Sequence, residues 1–325
     1  MRASVIVPFY NNHDTILTCL QSIKEQDFIK DDYEIIVVDD GSHGDTGKLV
    51  QLFNLKLLRQ KHKGPAAARN LGAWNAKGEI IVFIDADCLA GKDWLKKMLE
   101  PFLDPDVKGV QGAYKTQQKE IIARFAQCEI EERYRIMEKN HFIDFIGTYS
   151  AAYRNDIFIK MGGFDESFPI ASGEDTDFSY RLSKENYKLV FNPEAIVYHN
   201  HPDRFPTYLK QKFWRAYWRN LIYSKNIKKA IKDTYTPQIL KFQIFLFLLF
   251  FILLIASPFN NFPSFPIILS VLGLFFITTI PFIVKTIFKD PFIGCFSPFF
   301  IFFRSAVFTF GIIMGFIRII CLRQF

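Results

Sequence analysis

Apolar and polar positions along the first hundred residues follow two rhythms in turn. Residues 4–8 (SVIVP) form a short β-branched run, and residues 14–26 (DTILTCLQSIKEQ) repeat apolar positions at helical spacing. Residues 34–42 (EIIVVDDGS) predict a buried strand ending in a turn, and residues 55–59 another short strand. Residues 64–76 (GPAAARNLGAWNA) predict a helix with proline at its first position. A strand over EIIVFIDAD and a helix over residues 92–103 follow. Strands alternating with helices predict an α/β fold: a parallel sheet with helices on both faces, and ligands beyond the carboxyl ends of its strands. Asp39-Asp40 and Asp85-Ala86-Asp87 lie at such ends. Side chains two apart in a strand share a face, so Asp85 and Asp87 are expected together, and their repulsion requires a positive group between them.

The rhythm disappears after residue 237. Residues 244–256 (IFLFLLFFILLIA) are an unbroken apolar run that with its flanks, 239–259, is long enough to cross a bilayer. Residues 265–284 are a second uncharged stretch of that length. A third, 292–317, carries Arg304 in its middle and reads as a span, a re-entrant hairpin or an interfacial helix. The divisions expected are thus a catalytic domain over 1–203, a basic amphipathic segment over 204–236 and a membrane domain over 237–325.

Charge follows the same divisions. Residues 1–203 hold 25 Lys+Arg and 31 Asp+Glu, a net −6; residues 204–232 hold nine basic residues and no acid. The overall +7 is therefore local and argues against a nucleic-acid partner. Lys and Arg concentrate on the cytoplasmic side of spans. The chain also opens directly on a strand-like run. Together these predict an integral protein of the plasma (inner) membrane with its catalytic domain cytosolic, residues 258–264 outside, and Lys285 and Lys289 inside. Residues 207–231 predict an amphipathic helix at headgroup level, with Lys212, Arg215 and Arg219 on its polar side. The five cysteines show no metal-type spacing and read as reduced thiols.

Six motifs, VIVPFYNN, EIIVVDDGS, GPAAARNLG, FIDAD, GGFDESF and GEDTDFSYRL, occur in this order. Over about residues 3 to 220 the chain resembles family 2 of the nucleotide-sugar glycosyltransferases. The resemblance implies a GT-A fold and inverting sugar transfer from an activated donor, with Mn²⁺ or Mg²⁺ as cofactor. It implies Asp87 as direct metal ligand, with Asp85 facing the ribose and the metal's water shell. His199 is implied as a third ligand, with His201 two residues on as its rival. Asp40 would accept a hydrogen bond from the donor's base, Pro8, Tyr10 and Asn11 would line that pocket, and Arg69 and Asn70 would face the diphosphate. Asp175 would be the general base and Glu174 its partner towards the acceptor. Each motif also has a plain structural reading. DDGS is good Asx-turn chemistry, and acids at 174–177 suit any helix N-terminus.

The QxxRW of processive polysaccharide synthases is missing, and so is the GxGTR-type loop of sugar nucleotidylyltransferases; PFYNN stands there instead. The expectation is a non-processive transferase acting on a lipid-linked or membrane-proximal glycan. The alternative from another class is a non-catalytic membrane scaffold with a degenerate transferase domain.

Overall fold

In the computed structural model, which describes residues 1–44, 46–53, 55–168, 173–225, 227–259 and 264–322, the β-branched runs become strands. They are β1 Ala3–Phe9, β2 Tyr33–Asp39, β3 Lys56–Arg59, β4 Ile80–Ile84, β5 Cys88–Ala90, β6 Val107–Lys115, β7 Ser150–Arg154 and β8 Lys188–His199. Among the described residues they form one eight-stranded sheet in the order β3-β2-β1-β4-β7-β6-β8-β5. The first four of that row are parallel, as the alternation predicted. Beyond them the sheet is mixed: β7 runs antiparallel to both β4 and β6, β6 pairs β8 in parallel, and β5 closes the edge antiparallel to β8. The expected parallel sheet is therefore only its first half. No crossover helix links β4 to β5; a turn with the Cys88 amide bonded to the Asp85 carbonyl reverses the chain there.

The sheet belongs to a unit made of residues 1–117, 134–200 and 233–235. Its centre is aromatic. Phe83 of β4, Tyr153 of β7, Phe158, Phe164 and Phe178 lie with ring centroids 4.9 to 6.4 Å apart, mostly tilted or edge-on. Phe178 sits one turn inside the helix Glu174–Lys184 and anchors it to this cluster, so the three acids of that helix's first turn are held by rigid packing.

The second unit comprises residues 118–133, 201–232 and 236–325, so no single cut at residue 203 separates the two. Three of its helices, Gln238–Ala256, Phe265–Ile287 and Pro291–Cys321, are long and apolar enough to cross a membrane. The middle one has a turn at Thr278-Thr279. The third apolar stretch is one continuous helix, which removes the hairpin reading. Residues 260–263, the connection expected outside, lie outside the described residues.

The basic segment forms the helix Phe205–Lys225, and it packs along Pro291–Leu322. The contact is close because two glycines four residues apart face it. A Cβ on Gly311 would lie 2.6 Å from the Phe213 carbonyl oxygen, and one on Gly315 2.8 Å from that of Tyr217. The expected headgroup-facing role of Lys212 does not hold. Its side chain is buried, and Nζ lies 2.8 Å from a carboxylate oxygen of Glu129, which also receives the Tyr208 hydroxyl at 2.8 Å. Arg304 gives Nη1 to the other Glu129 oxygen at 2.5 Å and Nη2 to Gln243 at 2.7 Å. Gln243 in turn reaches the Thr278 carbonyl at 3.3 Å. Each of the three apolar helices is thus joined to one carboxylate through hydrogen bonds.

Gly311→Leu forces a side chain into the Phe213 backbone. Overpacking of this kind costs on the order of 1–3 kcal/mol, so a lower melting temperature of the detergent-solubilised protein is expected, with Gly273→Leu, where a Cβ would meet nothing within 4 Å, as the unaffected control.

Candidate active site

The acids at the sheet's carboxyl edge are all present, but each has a different neighbour. β4 ends at Ile84, one residue before the first of them, so Asp85 and Asp87 sit on a turn rather than on alternate strand positions. They diverge. Asp85 lies 2.7 Å from Arg69 Nη2, and Asp87 Oδ2 lies 3.5 Å from His199 Nε2. The positive group required beside Asp85 is therefore an arginine of the chain itself. Arg69 is buried in the helix Pro65–Trp74, and its other terminal nitrogen, Nη1, meets Glu174 at 2.8 Å. One guanidinium thus joins the end of β4 to the first turn of Glu174–Lys184. Its terminal nitrogens are both engaged within the chain, while Nε is buried without a partner among the described residues. Asn70 is structural too: it exchanges hydrogen bonds with the Phe164 backbone at 2.9 Å in each direction and also binds Glu166.

Glu174 is almost wholly buried, and its second oxygen, Oε2, has no hydrogen-bond partner among the described residues. Burial pushes its carboxyl up to about 7, Asp175 adds to the rise, and Arg69 opposes it. Asp175 is half-buried beside it and accepts the Thr176 amide at 2.6 Å. Gly173, at φ +122°, sets the chain into this helix where an ordinary side chain would be strained.

Asp87 and His199 come together through sheet register. β5 pairs β8 with Cys88 opposite His199, which brings the residue before Cys88 beside the imidazole. Asp87, Cys88 and His199 place potential ligand atoms within 4.8 Å of one another. Burial favours the protonated Asp87, but His199 overcomes it and holds the carboxyl below its ordinary range. The Cys88 thiol is pushed the other way, well above its ordinary value, by burial and then by Asp85 and Asp87. It stays neutral and soft, so the oxygen and nitrogen of Asp87 and His199 are the donors that fit a hard divalent cation. Tyr114 stacks on the His199 ring at 5.3 Å between centroids. β8 ends at His199, so His201 does not share its face. It lies in the second unit, buried against Gln127 at 3.0 Å.

At the end of β2 the Asx-turn reading describes the geometry. Asp39 receives the Ser42 amide at 2.8 Å, the Thr46 hydroxyl at 2.7 Å and Arg59 at 3.2 Å. Burial works against its ionisation, yet these partners hold its carboxyl low. Asp40 is likewise buried and saturated. Oδ1 accepts Gln60 and the Lys63 amide, at 2.7 and 2.8 Å; Oδ2 accepts the Gly64 amide at 2.9 Å and lies 2.9 Å from His62 Nδ1, whose own hydrogen bond goes to the Asp40 carbonyl at 3.2 Å. Its carboxylate ties down the loop of residues 60–64. Held there, His62 stacks on the exposed Tyr10 ring with centroids 4.0 Å apart. Asn11 accepts the His43 amide at 2.9 Å and bridges the turns after β1 and β2, while Pro8 lies in β1 itself. Nothing local marks His62, because its partners are 22 and 52 positions away; nor Tyr114, an ordinary strand aromatic until the register is known.

Residues 4–162 match the profile of Glycosyl transferase family 2. The chain is 28% identical over 224 residues to glycosyltransferase AglE of Haloferax volcanii, covering 65% of this chain and 70% of that protein. It is 26% identical over 219 residues to the pre-mycofactocin glycosyltransferase of Mycobacterium tuberculosis, of whose length it spans 45%. Its fold is similar to that of the mannosyltransferase PcManGT from Pyrobaculum calidifontis, solved in complex with GDP-Man and Mn²⁺. The TM-score is 0.64 at 22% identity, over 95% of this chain and 87% of that one.

The raised Glu174 carboxyl makes stability depend on pH. The stability gained by keeping it neutral is fully present below its ordinary value of 4.5 and is lost as pH rises through about 7. Melting curves across that range should fall for the native protein, and the fall should be reduced in Glu174→Gln; equal slopes would show that Glu174 is ionised throughout.

Proposed function

The chain belongs to glycosyl transferase family 2 through residues 4–162, and from that premise we propose that it moves a sugar, with inversion, from a nucleotide diphosphate to a lipid-borne acceptor at the cytosolic face of the plasma membrane. The observation that carries this reading is the pair of sites at one sheet edge. Asp87 and His199 offer ligands for a divalent cation, and Arg69 holds Asp85 against the helix that bears Asp175. The relative solved with GDP-Man and Mn²⁺ supports the same donor and metal chemistry here. A bound cation there neutralises charge on the departing diphosphate. Asp175 takes the proton of the acceptor hydroxyl as its oxygen attacks the anomeric carbon. The carbon–oxygen bond to the diphosphate breaks on the opposite side, and its electron pair leaves with the diphosphate. Tyr10, backed by His62, offers a flat exposed ring for the base, and Asp40 serves it by fixing the loop that carries His62. The scaffold alternative needs a degraded site; Asp87, His199, Glu174 and Asp175 are all in place.

The lipid-borne acceptor and the membrane face rest on the second unit. A domain covalently joined to apolar helices meets substrates that are also confined to the bilayer, and nine basic residues without an acid precede the first of those helices.

Screening UDP-, GDP- and dTDP-sugars with Mn²⁺ for a rise in melting temperature identifies the donor, because a bound ligand stabilises by mass action. Asp87→Ala should abolish transfer and the Mn²⁺-dependence of that rise while leaving the fold intact; near-normal activity would remove the metal assignment. General-base catalysis is worth typically 10²–10⁴-fold. Asp175→Asn should therefore lower kcat on the order of a hundredfold with donor affinity little changed. Loss of donor binding with turnover spared would move the base to Glu174.

A further inference from the structure

Cys88 stands inside the cluster at the start of β5, and the transfer reaction makes no use of its sulfur. Sheet register puts it there. β5 and β8 are antiparallel, with Cys88 opposite His199. Side chains directly opposite in such a pair share a face, with Cβ atoms about 4.5–5.5 Å apart. Cys88 is fully buried, and its Sγ lies 3.9 Å from Asp87 Oδ1. The other oxygen of that carboxylate lies 3.5 Å from His199 Nε2. Donor atoms of all three residues fall within 4.8 Å of one another. Bonds of about 2.0–2.3 Å to a tetrahedral zinc ion set its donors roughly 3.3–3.6 Å apart. Small side-chain rotations therefore close this set on such an ion. The neighbouring buried thiol, Cys19, is directed elsewhere: its Sγ lies 3.6 Å from the Asp85 carbonyl oxygen. A carboxylate, an imidazole and a thiol around one point make a mixed donor set. Mn²⁺ suits the carboxylate, whereas Zn²⁺ is bound by all three donor types.

We propose that Cys88 is a third metal ligand, which the site uses for Zn²⁺ and leaves idle for Mn²⁺. Cys88 thereby sets which ion the Asp87–His199 pair of the proposed function holds, and its role rests on that metal reading. Coordination exchanges one bond for another. The S–H bond breaks, its electron pair forms the bond to zinc, and the proton passes to water. Affinity for sites with nitrogen and sulfur donors rises from Mn²⁺ to Zn²⁺, so Zn²⁺ displaces Mn²⁺ here. With three protein donors a four-coordinate ion keeps one open position. A cation that bridges two phosphates of a sugar nucleotide needs two. The zinc form therefore holds the donor poorly. The manganese form, with two protein ligands and more positions to give, holds it well.

The metal-free full chain in uncharged detergent is titrated with Co²⁺, which takes zinc's four-coordinate geometry, and its light absorption is followed. Cobalt bound to a thiolate gives an intense sulfur-to-metal charge-transfer band in the near ultraviolet; oxygen and nitrogen donors give none. The native protein should show that band, saturating at one equivalent. Cys88→Ser, close in size, should lack it, and Cys19→Ser should keep it. A cooperative melting curve shows that each variant is folded, and Cys88→Ala replaces Cys88→Ser if that curve is lost. Competition between Zn²⁺ and Mn²⁺, followed by the electron paramagnetic resonance of free Mn²⁺, gives a second readout. Loss of a group that supports a bound metal typically costs about 10–100-fold in affinity, so the preference for Zn²⁺ should fall at least tenfold in Cys88→Ser. A native protein that binds Mn²⁺ yet shows no cobalt band, a band that survives Cys88→Ser, or an unchanged preference would overturn the proposal while the Asp87–His199 pair stands. No binding of either ion by the native protein would remove the metal reading and the role of Cys88 with it.

Discussion

Carboxylates gathered at one sheet edge repel, and the catalytic unit is organised around that repulsion. Asp39, Asp40, Asp85, Asp87, Glu174 and Asp175 all lie at or near the ends of β2 and β4 or at the start of one helix. No single cation holds them all. Asp39 has Arg59 and a turn, Asp40 has loop amides and His62, Asp87 has His199, and Asp85 divides Arg69 with Glu174. The Arg69 bridge matters most because one buried guanidinium joins two carboxylates on segments 89 positions apart. In the function proposed above, Asp175 and the Asp87–His199 pair carry the chemistry and the remainder are their scaffold.

The membrane-helix unit obeys the same rule in a less forgiving medium. Polar groups among apolar helices must be paired with one another. Here a chain of bonds from Glu129 through Arg304 and Gln243 to the Thr278 carbonyl meets that demand in part. The apolar helices are joined as much by this chain as by the close passage of Gly311 and Gly315 past Phe205–Lys225.

Much of this was legible in the residues. The alternation of strand and helix, the strand ends that carry acids, proline at the start of Pro65–Trp74 and the acidic first turn of Glu174–Lys184 all follow from local pattern, which local physics controls. What local pattern could not reach was partnership across long separations. Arg69 reads as an exposed helix residue until Glu174 is placed beside it. Glu129, in EIEERYR, looks like one of a run of solvated charges, although it is buried and bonded to Tyr208, Lys212 and Arg304. His199 and His201 are indistinguishable as text; the end of β8 separates them. The mixed half of the sheet was likewise hidden, because the reversal after Ile84 depends on a three-residue edge strand too short to show a period. Gly311 and Gly315 were the missed signal that spacing alone could have supplied.

The pairing of β5 with β8 also sets an order of events in synthesis. Cys88 leaves the ribosome long before its opposite number, His199, and until then the edge strand has no strand beside it, only the helix His13–Lys24, whose Ser22 hydroxyl accepts the Ala90 amide at 3.0 Å. Such distant contacts close late. The growing chain therefore completes β1 to β4 with Asp87 still lacking its imidazole, and gains that ligand only when nearly all of the sheet has emerged. The first apolar helix begins at Gln238, shortly afterwards. A nascent chain halted before β8 would have β1 to β4 yet lack the Asp87–His199 pair, which forms only shortly before the first apolar helix emerges.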